Sequence, residues 1–180
     1  MKKKLTCFPL FFCALLPIIT CACKNTRQSL TESINSLVGQ NIIMPKDIVY
    51  FNESNHVEGF FQNADYKILI YLPKHICSTC KIKEMRMWEE VCVRFADLGV
   101  PTLVLVDTED ISFYIKEVAI QQVRPVFAYD IETQFETLNK LPDDPQLQAF
   151  LLKGNTIILV GNPFINPRIC ELFLTTIGEK

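Results

Sequence analysis

The stretch from Lys67 to Phe95 constrains the fold of this chain more than any other. A short apolar run, Ile68 to Leu72, breaks at Pro73. Cys77-Ser78-Thr79-Cys80 then opens a pattern in which Ile82, Met85, Trp88, Cys92 and Phe95 recur at steps of three and four. An apolar run of strand length followed by helical periodicity reads as strand, turn and half-buried helix. Lys81, Lys83, Glu84, Arg86, Glu89, Glu90 and Arg94 fall mostly on the opposite, wet side. A cysteine at the mouth of such a helix meets unpaired backbone N–H groups and the positive end of the helix dipole, both of which favour a thiolate. Cys77 is thus placed as a nucleophile. Cys80, one turn into the helix, comes within disulfide reach and can resolve a mixed disulfide formed on Cys77.

The run Ile68 to Cys77, ILIYLPKHIC, lies without a gap on the strand-to-motif segment of thioredoxins. From about Leu37 to Ile177 the chain resembles the membrane-anchored thioredoxin-like proteins of the bacterial envelope. The resemblance implies an α/β fold with a mixed five-stranded central sheet flanked by helices. It implies Cys77 and Cys80 as the exchanging pair, protein thiols or disulfides and a redox partner in the envelope as what they meet, and no cofactor. Three positions depart from the family. Tyr71 stands where thioredoxins carry a buried aspartate that relays protons, and Ile76 stands where they carry a tryptophan. The proline expected just before the penultimate strand aligns at Leu147, with Pro145 two residues early.

The first 20 residues have a different composition from the rest. Lys2, Lys3 and Lys4 precede an uncharged apolar run from Leu5 to Thr20, the pattern of an export signal. The run is short for a spanning helix, holds Pro9 and Pro17, and ends at small residues and cysteine. Ile18-Ile19-Thr20-Cys21-Ala22-Cys23 resembles the lipobox of bacterial lipoproteins, in which a cysteine is acylated. Cys21 has the better aliphatic residues before it and Cys23 the better small residue, so either is the candidate. The expected organisation is a lipoprotein signal over 1–22, a flexible tether over 23–36, where Ser, Thr, Asn and Gln dominate, and a thioredoxin-like domain over 37–180. Such a chain would be held on a membrane by its N-terminal lipid, with the domain facing the periplasm. The leader's three lysines are its only charges, so its removal takes the net charge from −2 to −5. No basic patch suggests nucleic acid.

Further along, Leu37-Val38-Gly39 and Ile42 to Pro45 are expected to form a hairpin before the core, with Ile48 to Phe51 as a further edge strand. Asn52 to Asp65 reads as a loop. Val100 to Asp107 reads as a buried parallel strand, followed by a helix over Glu109–Gln122. Val126–Tyr129 and Glu132–Asn139 form an inserted strand and short helix, shared with the resembled family. Leu147–Leu152 and Thr156–Val160 flank the hairpin signal Lys153-Gly154-Asn155. A last helix follows from near Pro167, with Ile169, Leu172, Phe173 and Ile177 inward.

A lone CxxC also serves zinc sites and structural disulfides. Only two histidines are present, and Cys92 and Cys170 stand singly on apolar helix faces as core thiols. The pattern therefore favours a redox dithiol over an inert disulfide or a metal site. His75, two residues before Cys77, is either a partner for the thiolate or a solvated loop histidine. Tyr71 is expected to point into the core with a backbone partner for its hydroxyl. Asp107 is expected at the functional edge of the sheet or in a helix-capping region, and Phe60 and Phe61 are expected to cap a sheet edge in preference to forming an exposed partner-binding patch. The leading function is an envelope thiol–disulfide oxidoreductase. The alternative is a catalytically silent thioredoxin-fold lipoprotein acting as a binding or structural module, motivated by Tyr71, Ile76 and Leu147. A peroxidase is a weaker reading, because no convincing Thr-x-x-Cys with an arginine partner is present.

Overall fold

The computed structural model describes residues 28–50, 55–74, 78–121, 126–142 and 144–178. Cys21 and Cys23 lie outside the described residues. The chain divides into a first unit ending at Ser36 and a second over Leu37–Lys180.

In the first unit the sequence leads to an expectation of an irregular tether, but α1 occupies 28–37, its last residue opening the second unit. Leu30, Ile34 and Leu37 recur at helical spacing, and Gln28 Nε2 donates to Glu32 Oε1 one turn on, at 3.1 Å. These short-range terms offset the polar composition that suggested no regular structure.

The second unit is a six-stranded mixed sheet with helices on both faces. Its strands are β1 (Ile48–Tyr50), β2 (Tyr66–Leu72), β3 (Thr102–Asp107), β4 (Val126–Asp130), β5 (Ala149–Lys153) and β6 (Thr156–Val160), in the order β1-β4-β3-β2-β5-β6. β2, β3 and β4 run parallel, and the two β5 pairings and the β1–β4 pairing are antiparallel. β2 and β3 are buried almost throughout, as strands covered on both faces must be. β5 and β6 are joined at Gly154, whose φ of +57° suits a tight reversal.

The helices are α2 (Asn55–Asn63), α3 (Ser78–Met85), α4 (Glu89–Asp97), α5 (Ile111–Gln121), α6 (Phe135–Asn139) and α7 (Pro167–Gly178). A 3-10 turn, Arg86–Trp88, joins α3 to α4. The apolar stripe foreseen after the dithiol is realised: Ile82, Met85, Trp88, Cys92 and Phe95 are all buried. They pack with Ile68, Ile70, Leu72, Val104 and Val106 of the sheet and with Cys170, Phe173 and Ile177 of α7. Trp88 is core, stacked on Phe164 at 4.9 Å.

The six strands are the five expected at the centre and β1, the further edge strand foreseen, which pairs β4. Several other expectations are corrected. The N-terminal hairpin is absent among the described residues. Residues 39–42 instead bond to the β5–β6 hairpin, through Gly39 N to Ile157 O, Ile157 N to Gln40 O, and Ile42 N to Asn155 O, each at 2.8 Å. Asn139 of α6 completes the attachment: its Oδ1 accepts from Ile43 N at 2.7 Å and its Nδ2 donates to Ile43 O at 2.9 Å. Backbone groups that a hairpin would have paired are thus satisfied elsewhere.

Much of the expected loop before β2 is α2, which docks buried Phe61 beneath the ammonium of Lys67, 5.1 Å from the ring centroid. Phe60 stays exposed. The strand foreseen from Leu147 begins at Ala149, after a 3-10 turn over Pro145–Leu147. On α7, Leu172 is 46% exposed and Cys170 takes the inward place.

Phe173→Ala should therefore lower the unfolding free energy by about 3–5 kcal/mol, whereas Leu172→Ala should change it by less than about 1 kcal/mol. Urea denaturation of the two variants measures both, and equal losses would contradict the assigned faces.

Candidate redox site at the carboxyl edge of the sheet

Parallel pairing brings the carboxyl ends of β2, β3 and β4 to one edge, where Leu72 lies opposite Val106 and Asp107 opposite Asp130. From this edge β2 runs on through Pro73 and Lys74 toward the dithiol. In open parallel sheets, this is the edge at which loops carry chemistry. Lys74 Nζ donates to Glu109 Oε1 at 2.6 Å, tying the exit of β2 to the exit of β3. Both side chains are well exposed, so water and salt screen the pair and its contribution is small.

Cys80 is the third residue of α3 and is an exposed thiol. In the first turn of a helix the backbone N–H groups have no intrahelical acceptor. Cys77 and His75 lie outside the described residues, as does Ile76. Cys92 and Cys170 are buried thiols. Burial first, and the Glu89 carboxylate second, push the Cys92 thiol up to about 12. Burial also raises Cys170, with Arg94 pulling down and Glu171 up. Neither is suited to attack, since the thiolate is the nucleophile. Among the described residues no group of three or more His, Cys, Asp or Glu side chains is placed to hold a metal ion.

Tyr71 is buried as expected, but its hydroxyl partners are side chains rather than backbone. Tyr71 Oη lies 3.2 Å from Asp107 Oδ2 and 3.2 Å from Glu136 Oε2, and its ring packs on Phe135 of α6 at 5.0 Å. Burial, followed by the Asp107 and Glu136 charges, drives the phenol far above its ordinary range. Tyr71 is therefore a fixed hydroxyl and no base. Asp107, 7% exposed, is raised chiefly by burial. The Tyr71 hydrogen bond and Lys74 oppose the rise, and Asp130 and Glu136 add to it.

Among the described residues Asp107 caps no helix. Asp110 does so for α5, accepting from Phe113 N at 3.1 Å. Asp130 fixes the start of α6 by accepting from Phe135 N at 2.7 Å. Sequence reading missed Glu136, because nothing local announces a partner 65 positions from Tyr71. Leu147, at the position where the resembled family has proline, is buried, and the peptide bonds among the described residues are all trans.

No protein-family model matches the chain, and no curated protein does. Solved structures do match. The thioredoxin domain of a thiol-disulfide oxidoreductase from Bacteroides vulgatus aligns with a TM-score of 0.53 at 10% identity, over 76% of this chain and 97% of that one. A thiol:disulfide interchange protein from a Bacteroides species aligns at 0.52 and 13%, over 79% and 90%. A Chlorobium tepidum protein described as a candidate thiol:disulfide interchange protein DsbE aligns at 0.55 and 11%, over 78% and 96%. The chain has a thioredoxin-like fold. At these identities the likeness speaks for the fold alone.

In the Cys77→Ser chain, iodoacetamide should modify Cys80 in the native state at least about tenfold faster than Cys92 or Cys170. Peptide mass spectrometry before and after denaturation checks this, and native labelling of Cys92 at the Cys80 rate would contradict the burial. The folded Cys92 value near 12 exceeds the unfolded one of about 8.5. Stability tied to the neutral thiol is thus complete below the unfolded value and is lost as pH climbs through the folded one.

Proposed function

We infer that the protein is a thiol–disulfide oxidoreductase of the bacterial envelope, working through Cys77 and Cys80. The observation that carries this reading is the exposed Cys80 thiol in the first turn of the helix that follows the central strand of a thioredoxin-like fold. The solved structures that share the fold support a redox role in general, since those cited are thiol–disulfide oxidoreductases or interchange proteins from bacteria.

In the forward cycle the Cys77 thiolate attacks one sulfur of a partner disulfide, forming a mixed disulfide and releasing the partner's other sulfur as a thiolate, which takes a proton from solvent. Cys80 then loses its proton and attacks the Cys77 sulfur. The partner leaves as a dithiol and the Cys77–Cys80 disulfide remains. An external dithiol would return that disulfide to the reduced pair. His75, two residues before Cys77, is assigned to stabilise the thiolate. The leader assigns the domain to the periplasmic side of a membrane, held by acyl chains on Cys21 or Cys23.

One observation favours a second reading, a thioredoxin-fold lipoprotein that binds a partner without exchange. Tyr71 and Leu147 replace the polar carboxyl and the proline of the resembled family with buried, committed side chains.

Cys80→Ser should trap mixed disulfides through Cys77, and Cys77→Ser should trap none. Non-reducing electrophoresis with mass spectrometry reads both outcomes. A Cys77–Cys80 couple between about −120 and −270 mV would mark a working dithiol, and one below about −300 mV a static staple. No trapped partner together with such a low potential would favour the silent reading.

A further inference from the structure

Apart from the dithiol, the strongest unassigned chemistry among the described residues is the buried junction of Tyr71, Asp107 and Glu136. The phenol oxygen of Tyr71 faces one oxygen of each carboxyl at 3.2 Å. A phenol carries one proton and an ionised carboxylate can only accept. One hydroxyl cannot donate fully to both, and the contact left without a proton would set oxygen against oxygen. A second proton resolves the count: Tyr71 then donates to one carboxyl and accepts from the other.

Asp107 is the carboxyl placed to hold it. It is nine-tenths buried, whereas Glu136 is only partly so. Asp107 Oδ1 is buried with no hydrogen-bond partner among the described residues, which suits a neutral acid far better than a carboxylate. Its register partner on β4 is Asp130, a second acid that would oppose a charge on it. Among the described residues, the groups that bear on it are Tyr71 from β2, Lys74 from the segment after β2, Asp130 from β4 and Glu136 from α6. The lone cation among them, Lys74, is bonded to Glu109 in solvent.

We propose that Tyr71, Asp107 and Glu136 form a shared-proton site, in which Asp107 is a neutral acid donating through Oδ2 to Tyr71 while Tyr71 donates to Glu136. Burial acts in the same direction, holding the Asp107 carboxyl above its ordinary range. The proposal goes beyond the thiol chemistry and stands without it. It also places a titrating charge at the sheet edge from which the dithiol segment departs. An acid kept protonated by the fold lends stability that is complete below its unfolded value and is lost as pH rises through its folded value.

Carbon-13 NMR of the full chain, labelled at the aspartate carboxyls, reads the site directly. The Asp107 midpoint should lie above about 3.9. In Glu136→Gln it should fall by about one pH unit, because one neighbouring charge is gone and the amide N–H supplies the donor that the second proton supplied. Urea denaturation across pH gives a second reading: wild type should lose stability between about 3.9 and the Asp107 midpoint, and Asp107→Asn should not. A midpoint at or below the ordinary value, a midpoint unmoved in Glu136→Gln, or an Asp107→Asn chain with the wild-type pH dependence would each overturn the proposal. If Asp107→Asn does not fold, wild type and Glu136→Gln still decide it. No arm depends on thiol exchange, so an inert dithiol leaves the test intact.

Discussion

Parallel pairing of β2, β3 and β4 is the constraint on which the rest of the second unit depends. Because both faces of these strands are covered, their residues are apolar in near-unbroken runs, and the few polar groups among them are held away from water, Tyr71 and Asp107 against each other. The same register brings three strand ends together, so Tyr71, Asp107 and Asp130 meet although they are far apart in the chain. The helices then fall into place. Those carrying Ile82, Met85, Phe95 and Phe173 bury one face of the sheet, and Phe135 of α6 packs on Tyr71, which lies outside that cluster.

What could be read from the sequence was what has a period or a local cause. The stripe after the dithiol, the parallel runs and the Gly154 reversal were legible because neighbours at three, four or two residues determine them. Helix α2 was not, since Gly59 and sparse apolar residues argue for a loop until Phe61 is seen beneath Lys67. The supposed hairpin failed for a related reason. Residues 37–45 have strand-like composition, but the groups that hold them belong to the β5–β6 turn and to Asn139, 96 positions from Ile43. On α7 only Leu172 departs from its expected inward place, at 46% exposed, while Cys170 is buried as the core thiol foreseen, since a thiol fills a small gap as well as leucine.

The candidate site was legible in part. The strand ending at Leu72 and the helix bearing Cys80 follow from spacing, and that thiol is exposed in the first turn of α3. The surroundings of Tyr71 did not follow. A tyrosine in an apolar strand reads as core with a backbone partner, and only the tertiary fold reveals two carboxyls at its hydroxyl. Tyr71 thus sits among acids without being one, with a carboxyl from β3 and another from α6 at its hydroxyl.

The 3-10 turn at Arg86–Trp88 has a geometric consequence of its own. Each of its residues advances about 120° around the axis, against about 100° in an α-helix, so three of them complete a full revolution. Trp88 returns to the azimuth of Met85, and α4 begins with its phase reset toward the sheet. A one-residue deletion there would swing Cys92 and Phe95 a quarter-turn or more away from the strands they cover, severing the rotational alignment between the thiol-bearing half of the helix and the half that anchors it.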